Sequence, residues 1–412
     1  MNTGSNVKRN LRNLALALAA TTALAPVGVA MASHHNDHGH RHGIALWAAP
    51  AGTGTTCSWA APCSLITAVS TASSGQTVRA KAGTYTGGLM VGPNKIGVPI
   101  ASPVNLVGEP GAVLDATGDT FGIGIVGTAS GTTVRGFTVE NAMDTGIIVV
   151  PGSVSAAPAL TPPVSNITIE DNRLHDNGLN PTAPGWAIHL MSTTNSTVAD
   201  NRAYNNGGGI YLTDEFGPNH NNRVVDNRVT HNLLQCGIIL AGHVAAWNPV
   251  TMLPTAAGGV YNNLVAHNVA IGNGTTSQGG GILLGGGAPD AAVYSNVIRD
   301  NTSIGNGFAG VVIHQHGPGD LNNNVIIGNR VSNDNVGGDP DYPPINLNFT
   351  IGILVASGPP GSGAGPITGT VIKHNKISHV TVGIWTLNVP SGSNTISHNR
   401  FAASVVTPIS AN

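Results

Sequence analysis

Between Asn166 and Leu240 one short phrase is written three times: NITIEDNRLHDNG…WAIHL, NSTVADNRAYNNGGGIYL and NNRVVDNRVTHNLLQCGIIL. Each copy has an alternating apolar segment, an Asp-Asn-Arg turn, a second turn rich in Asn and Gly, and a short apolar strand. Further copies follow at AHNVAIGNG…GGILL, IRDNTSIGNGFAGVVI, IIGNRVSNDN…IGILV and IKHNKISHVTVGIWTL, with a partial copy at ISHNRF. The turn asparagines Asn172, Asn201, Asn227, Asn268, Asn301, Asn329, Asn375 and Asn399 are spaced by 29, 26, 41, 33, 28, 46 and 24 residues. A period in the twenties, lengthened only by insertions, makes each repeat one coil of a solenoid.

The residues then choose the kind of coil. Apolar runs are four or five residues long and rich in Val and Ile, which suits short strands. No amphipathic helical stretch lies between them. Asn and Gly at the corners supply the left-handed backbone that tight turns need. Equivalent asparagines in stacked coils lie about 4.8 Å apart, close enough for their side-chain amides to bond in a ladder.

In these repeats the chain resembles the right-handed parallel β-helix (pectate-lyase-like) superfamily, and in particular its NosD-like repeat members, over roughly residues 45 to 405. The resemblance implies an all-β fold: a right-handed parallel β-helix of about ten coils with a short N-terminal capping helix. The stretch GQTVRAKAGTYTGGLMV resembles the superfamily's entry segment, with Gln76 for the usual Asp and Ala82 for the usual Pro. Ser64 to Ala72 is the expected helix over the open end of the core, a cap that solenoids require.

Residues 1–32 read as an export signal. Lys8, Arg9 and Arg12 precede the apolar stretch 14–29, and Ala30-Met31-Ala32 gives a cleavage site. Residues 33–44 form a His-rich tail with His34, His35, His38, His40 and His42, a candidate site for a transition metal or else a weakly chelating terminus. Residues 45–412 are expected to be one β-helix domain. No later segment has eighteen uninterrupted apolar residues, so no membrane span is expected after signal removal. The protein is thus expected to be secreted, periplasmic or at the cell surface. A net charge of −2 argues against nucleic acid as a partner. Cys57 and Cys63 are candidates for a disulfide in such a compartment, and Cys236 for a buried filler.

Charged residues fall into two sets. Asp171, Asp200, Asp226 and Asp300 precede turn asparagines, whereas Arg173, Arg202, Arg228, Arg330, Lys376 and Arg400 follow them. Two readings are open: a track for a polyanion, or a ladder of solvated ion pairs holding the turns in register. Because acids and bases share the same turns, the ion-pair ladder is expected.

Candidate chemistry lies elsewhere. Long insertions (151–165, 242–262, 356–369 and 178–185, 274–279, 335–350) flank one strand stack and are expected to wall a groove over it. Two residues after each strand's Gly or Ala anchor, the side chain should point onto that floor. This row reads Ile148, His189, Tyr211, Ile239, Leu283, Val312, Leu354 and Trp385. It is mostly apolar, which leaves cover by loops or by a second copy, and hence a homo-oligomer, as the alternative. Polar groups gather at its middle. Asp214, Glu215, His243 and His189 are candidate acid–base residues; Tyr211, Trp186, Trp247, His314 and His316 are candidate substrate contacts. Carboxylates there are also candidates for holding Ca²⁺.

The superfamily resemblance implies a polysaccharide as substrate or ligand, and a lyase or glycoside hydrolase as the activity. Familiar pectin-enzyme motifs (Asn-Thr-Asp, Gly-His-Gly, Arg-Ile-Lys) are absent as sets, and Gly217-Pro218-Asn219-His220 only partly matches an Asp-Pro-His motif. Two alternatives stand beside the enzyme: a non-catalytic exported glycan-binding surface protein, and a metal-handling NosD-like accessory protein supported by the His-rich tail.

Overall fold

The computed structural model describes residues 45–151, 163–243, 258–276, 279–286, 291–315, 317–336, 350–358 and 362–411. Its short strands stack into four parallel sheets of twelve, eleven, twelve and six strands. One coil illustrates the path: Thr168–Glu170 in the first sheet, Arg173–His175 in the second, Trp186–Met191 in the third and Thr193–Thr194 in the fourth. The next coil repeats it with Thr197–Ala199, Arg202–Tyr204, Gly208–Thr213 and Asn219–His220. Among the described residues the single antiparallel pair joins Leu89–Val91 to Asn94–Ile100 near the start. This is a parallel β-helix, as the repeats predict.

Alternation does the building. Along each strand every second side chain faces inward, and those positions hold Ile, Val and Leu. Ile188, Ile210, Ile238, Ile282, Val311, Ile353 and Ile384 form one fully buried inward column of the third sheet. Each buried side chain of this size contributes about 1.5–3 kcal/mol.

Corners are held by amides. In the expected ladder, Asn227 accepts at Oδ1 from the backbone N–H (3.0 Å) and side-chain amide (3.0 Å) of Asn201. Its own amide donates to the Val198 and Val225 carbonyls and to Asn268 Oδ1. The residue before each ladder asparagine carries positive φ: 54° at Asp171, 56° at Asp200, 58° at Asp226 and 59° at His267. Asp and His adopt this region at lower cost than β-branched residues. Two further ladders stand at the other corners. One runs Asn177, Asn206, Asn232, Asn273, Asn306 and ends on Asp334; the other runs Asn222, Asn263, Asn296, Asn324.

The N-terminal end of the core is closed by the helix Leu65–Thr71, whose Leu65, Ala68 and Val69 are buried. Ser64 caps it by accepting from the Thr67 N–H at 3.1 Å. Cys57 and Cys63 are bonded, with Cα atoms 4.7 Å apart, and Cys236 is buried and free.

One expectation about the charges fails. Among the described residues, a single ion pair involves a turn aspartate of the ladder, Arg299–Asp300 at 3.3 Å. Asp171, Asp200 and Asp226 meet none of the basic residues that follow the ladder asparagines. Asp sits on the positive-φ turn residue while Arg begins the next extended strand, and both are exposed to water that solvates them separately.

Candidate functional site

The outward column expected as a groove floor is a true register. Ile148, His189, Tyr211, Ile239, Leu283, Val312, Leu354 and Trp385 are successive partners across the third sheet. It is not an open floor along its length. Ile148, Val312 and Leu354 are fully buried, and Ile239 and Trp385 nearly so. At one end Ile148 and Met191 lie in an apolar cluster with Val91, Ile96 and Phe121, against which Phe216 packs. At the other, Val312, Leu354 and Trp385 cluster with Phe308 and Ile351. Solvent reaches the middle, at Tyr211, Leu283, Glu215 and His243.

There the polar groups converge. Tyr211 is flanked by two rings from the preceding coil: Trp186, tilted at 4.2 Å, and His189, stacked at 4.6 Å. Its hydroxyl lies 3.3 Å from Nε2 of His243 on the following coil. His189 Nε2 is 3.1 Å from the Thr213 hydroxyl, which in turn donates to Glu215 Oε2 at 3.1 Å. Because the hydroxyl's one hydrogen goes to Glu215, His189 supplies the hydrogen of its bond to Thr213. That leaves its lone pair on Nδ1.

Asp214 and Glu215 part company, as adjacent residues at a strand end must. Glu215 lies on the accessible side. Asp214 is 1 % exposed, and its two oxygens accept the backbone N–H groups of His243 and Gly259, both at 2.6 Å. It therefore anchors the chain on both sides of the 244–257 insertion. His243 Nδ1 lies 3.8 Å from Asp214 Oδ1, so the same carboxylate also faces the imidazole that meets Tyr211.

Burial tunes these groups in different directions. It holds the His189 imidazole down to about 3, with His243 adding to the effect, so the ring is neutral at physiological pH. It raises the Tyr211 phenol well above its ordinary value, and Glu215, Asp214 and Cys236 push the same way. Asp214 is pushed up to about 8 by burial, opposed by its two backbone donors. Asp144, two coils before Glu215, is raised to about 6, chiefly by burial and further by the charge of Glu215, while Thr145 donates to it at 2.7 Å.

The structure thus gathers Trp186, His189, Tyr211, Asp214, Glu215 and His243. His314 is not among them. It belongs to the column of Thr213, three coils on, with its ring 6.3 Å from Phe308. Trp247, His316 and the tail histidines His34, His35, His38, His40 and His42 lie outside the described residues. Sequence reasoning missed Thr213 as a link between His189 and Glu215, and missed Asp144. Thr213 was legible as the outward neighbour two residues beyond Tyr211; Asp144 carried no signal. Among the described residues no group of three His, Cys, Asp or Glu is placed to hold a metal ion, and no helix is long and apolar enough to cross a membrane.

Comparison with known proteins fits this architecture. The family model described as "Right handed beta helix region" matches residues 121–252, the coils that carry the site. No curated protein matches the chain by sequence. Among solved structures, the A-module of mannuronan C-5 epimerase AlgE4 from Azotobacter vinelandii is similar, with a TM-score of 0.51 and 20 % identity over 81 % of this chain and 88 % of that one. The alginate lyase from Paenibacillus sp. str. FPU-7 gives 0.51 and 11 % over 89 % of this chain and 98 % of that one. With its parallel coils, amide ladders and these likenesses, the chain is a right-handed parallel β-helix protein.

Proposed function

We propose that the protein is an exported polysaccharide lyase whose proton-transfer centre is Tyr211 with His243. The observation that carries this reading is the 3.3 Å approach of the Tyr211 hydroxyl to His243 Nε2 at the one accessible part of an otherwise buried column. A phenol kept protonated by its surroundings serves as an acid, and a neighbouring imidazole as a base. In β-elimination on a uronate, the base takes the proton from C5 and a C4=C5 double bond forms. The C4–O bond breaks and the phenol protonates the leaving oxygen. Asp214 orients His243, and His189, stacked on the Tyr211 ring, fixes the ring's plane. Trp186 adds an apolar wall behind Tyr211. The epimerase module and the lyase with similar folds have alginate-type uronates in their names, which supports this substrate class.

Asp144 favours a second reading, hydrolysis. Burial raises its carboxyl to about 6 and the charge of Glu215 adds to the effect, and a carboxyl that holds its proton, used with a second carboxylate, is what glycoside hydrolysis employs.

The test is incubation of the protein with alginate, polygalacturonate and a neutral glucan, with and without Ca²⁺, reading reducing ends and ultraviolet absorbance together. Elimination gives both signals, and Tyr211→Phe and His243→Gln should each abolish them with unfolding unchanged. Reducing ends without absorbance that survive Tyr211→Phe but not Asp144→Asn mean hydrolysis. Silence on every substrate, with glycan binding retained, overturns both enzyme readings in favour of a binding protein. Silence with metal binding lost on removing 33–43 leaves the accessory role.

A further inference from the structure

The absence of the expected ion-pair ladder leaves basic side chains in an unusual arrangement. Arg173, Arg202 and Arg228 are direct partners in adjacent parallel strands of the second sheet, all exposed. Arg330, Lys376 and Arg400 repeat the pattern on the same sheet column further along. Between them the column holds Val269 and Thr302. Like charges placed opposite one another across a sheet destabilise it, and among the described residues none of these six meets a carboxylate. The first is nonetheless held in place: Arg173 donates from Nε to the Tyr204 hydroxyl at 2.6 Å, and its guanidinium lies 5.0 Å from that ring's centre. Tyr204 is itself stacked on His175 at 4.9 Å, one strand back.

We propose that this column is a docking surface for an anionic polysaccharide lying along the solenoid axis, separate from the site on the third sheet. A guanidinium recurs on three successive coils, about 4.8 Å apart, and its planar fork suits the carboxylates that recur along a uronate polymer. Tyr204 offers an amphipathic ring beside the cations. The aspartates Asp171, Asp200 and Asp226 border the column on the turn side. They confine a polyanion to the arginine side and oppose the denser charge of a nucleic acid. The inference does not depend on the lyase reading, because it needs binding alone.

The experiment is titration calorimetry of the full chain with polygalacturonate, at low and high salt, with dextran as the uncharged control. Wild type should bind polygalacturonate with an affinity that falls steeply with salt, and should not bind dextran. Replacing all three arginines (R173Q, R202Q and R228Q) should weaken binding about tenfold or more at low salt and flatten the salt dependence by roughly three charges. D171N, D200N and D226N together should tighten it. In a Tyr211→Phe background, where the lyase reading predicts no turnover, adding R173Q, R202Q and R228Q should produce the same loss of affinity, which separates this surface from the proposed active site. R202Q alone, the middle rung, should show a smaller loss and covers failure of the triple variant to fold. Unaltered affinity in the arginine variants, equal binding of dextran, or preferential binding of single-stranded DNA would each overturn the proposal.

Discussion

Removing one rung from the middle of the asparagine ladder should cost far more than removing its last. Asn268 is 1 % exposed and makes five side-chain hydrogen bonds. It donates to the Val224 carbonyl (2.8 Å), the Ala266 carbonyl (3.1 Å) and Asn301 Oδ1 (3.0 Å). It accepts from the backbone N–H (2.9 Å) and side-chain amide (3.0 Å) of Asn227. Asn268→Ala strands the Asn227 N–H and the Val224 carbonyl in a dry interior. At 1–3 kcal/mol for each stranded group, plus a small cavity, the loss should be about 3–5 kcal/mol. Asn399 is the last rung. It accepts two bonds from Asn375 and donates one to the Ile372 carbonyl, but it is half-buried and water can replace it. Asn399→Ala should cost about 1 kcal/mol. Asn268→Asp should be at least as damaging as Asn268→Ala, because a carboxylate oxygen would face three acceptors. The assay is urea unfolding followed by circular dichroism, comparing midpoints at constant slope. Equal losses at the two rungs, or less than about 1 kcal/mol for Asn268→Ala, would refute the view that buried amides rather than apolar stacking alone hold the coils in register.

Asp334 ends the second ladder with its carboxyl fully buried and pushed up to about 7 by burial. A carboxyl raised on folding contributes its full stability below its unfolded value near 4 and loses it as pH climbs to about 7. Asp334→Asn should therefore stabilise the protein at pH 8, by about 1–3 kcal/mol, with the gain shrinking toward pH 4 in urea unfolding. Gly209→Ala should lower the unfolding midpoint severely, since its Cβ would lie 2.0 Å from the Gly237 carbonyl oxygen and 2.3 Å from Val229 Cγ1. Gly305→Ala, with open space but φ of 65°, should cost about 1 kcal/mol by the same measurement. Reducing Cys57–Cys63 frees a short loop at the N-terminal end and should cost about 2 kcal/mol, read as a midpoint shift with and without reductant.

Much of this molecule is written in its periods. The recurrence of Asn172, Asn201, Asn227 and their successors determined the coil, because a buried amide that bonds its own copy one coil away requires stacking in register. Alternation determined the faces: the residue two places beyond each anchor fell on one outward column from Ile148 to Trp385. The helix over residues 65–71 followed from its apolar spacing and Ser64 cap. What that column became was decided by tertiary structure. Phe216 packs back toward Ile148 and Met191, and Phe308 against Val312, because apolar side chains on irregular segments bury themselves wherever the surface allows. Those segments have no period to read. The roles of Asp214 and Glu215 divided in the same way. Adjacency showed that they diverge, but only the backbone donors of His243 and Gly259 made one of them an internal anchor. Local repetition can specify which residues share a face. Which of them water still reaches depends on contacts between segments far apart in the chain.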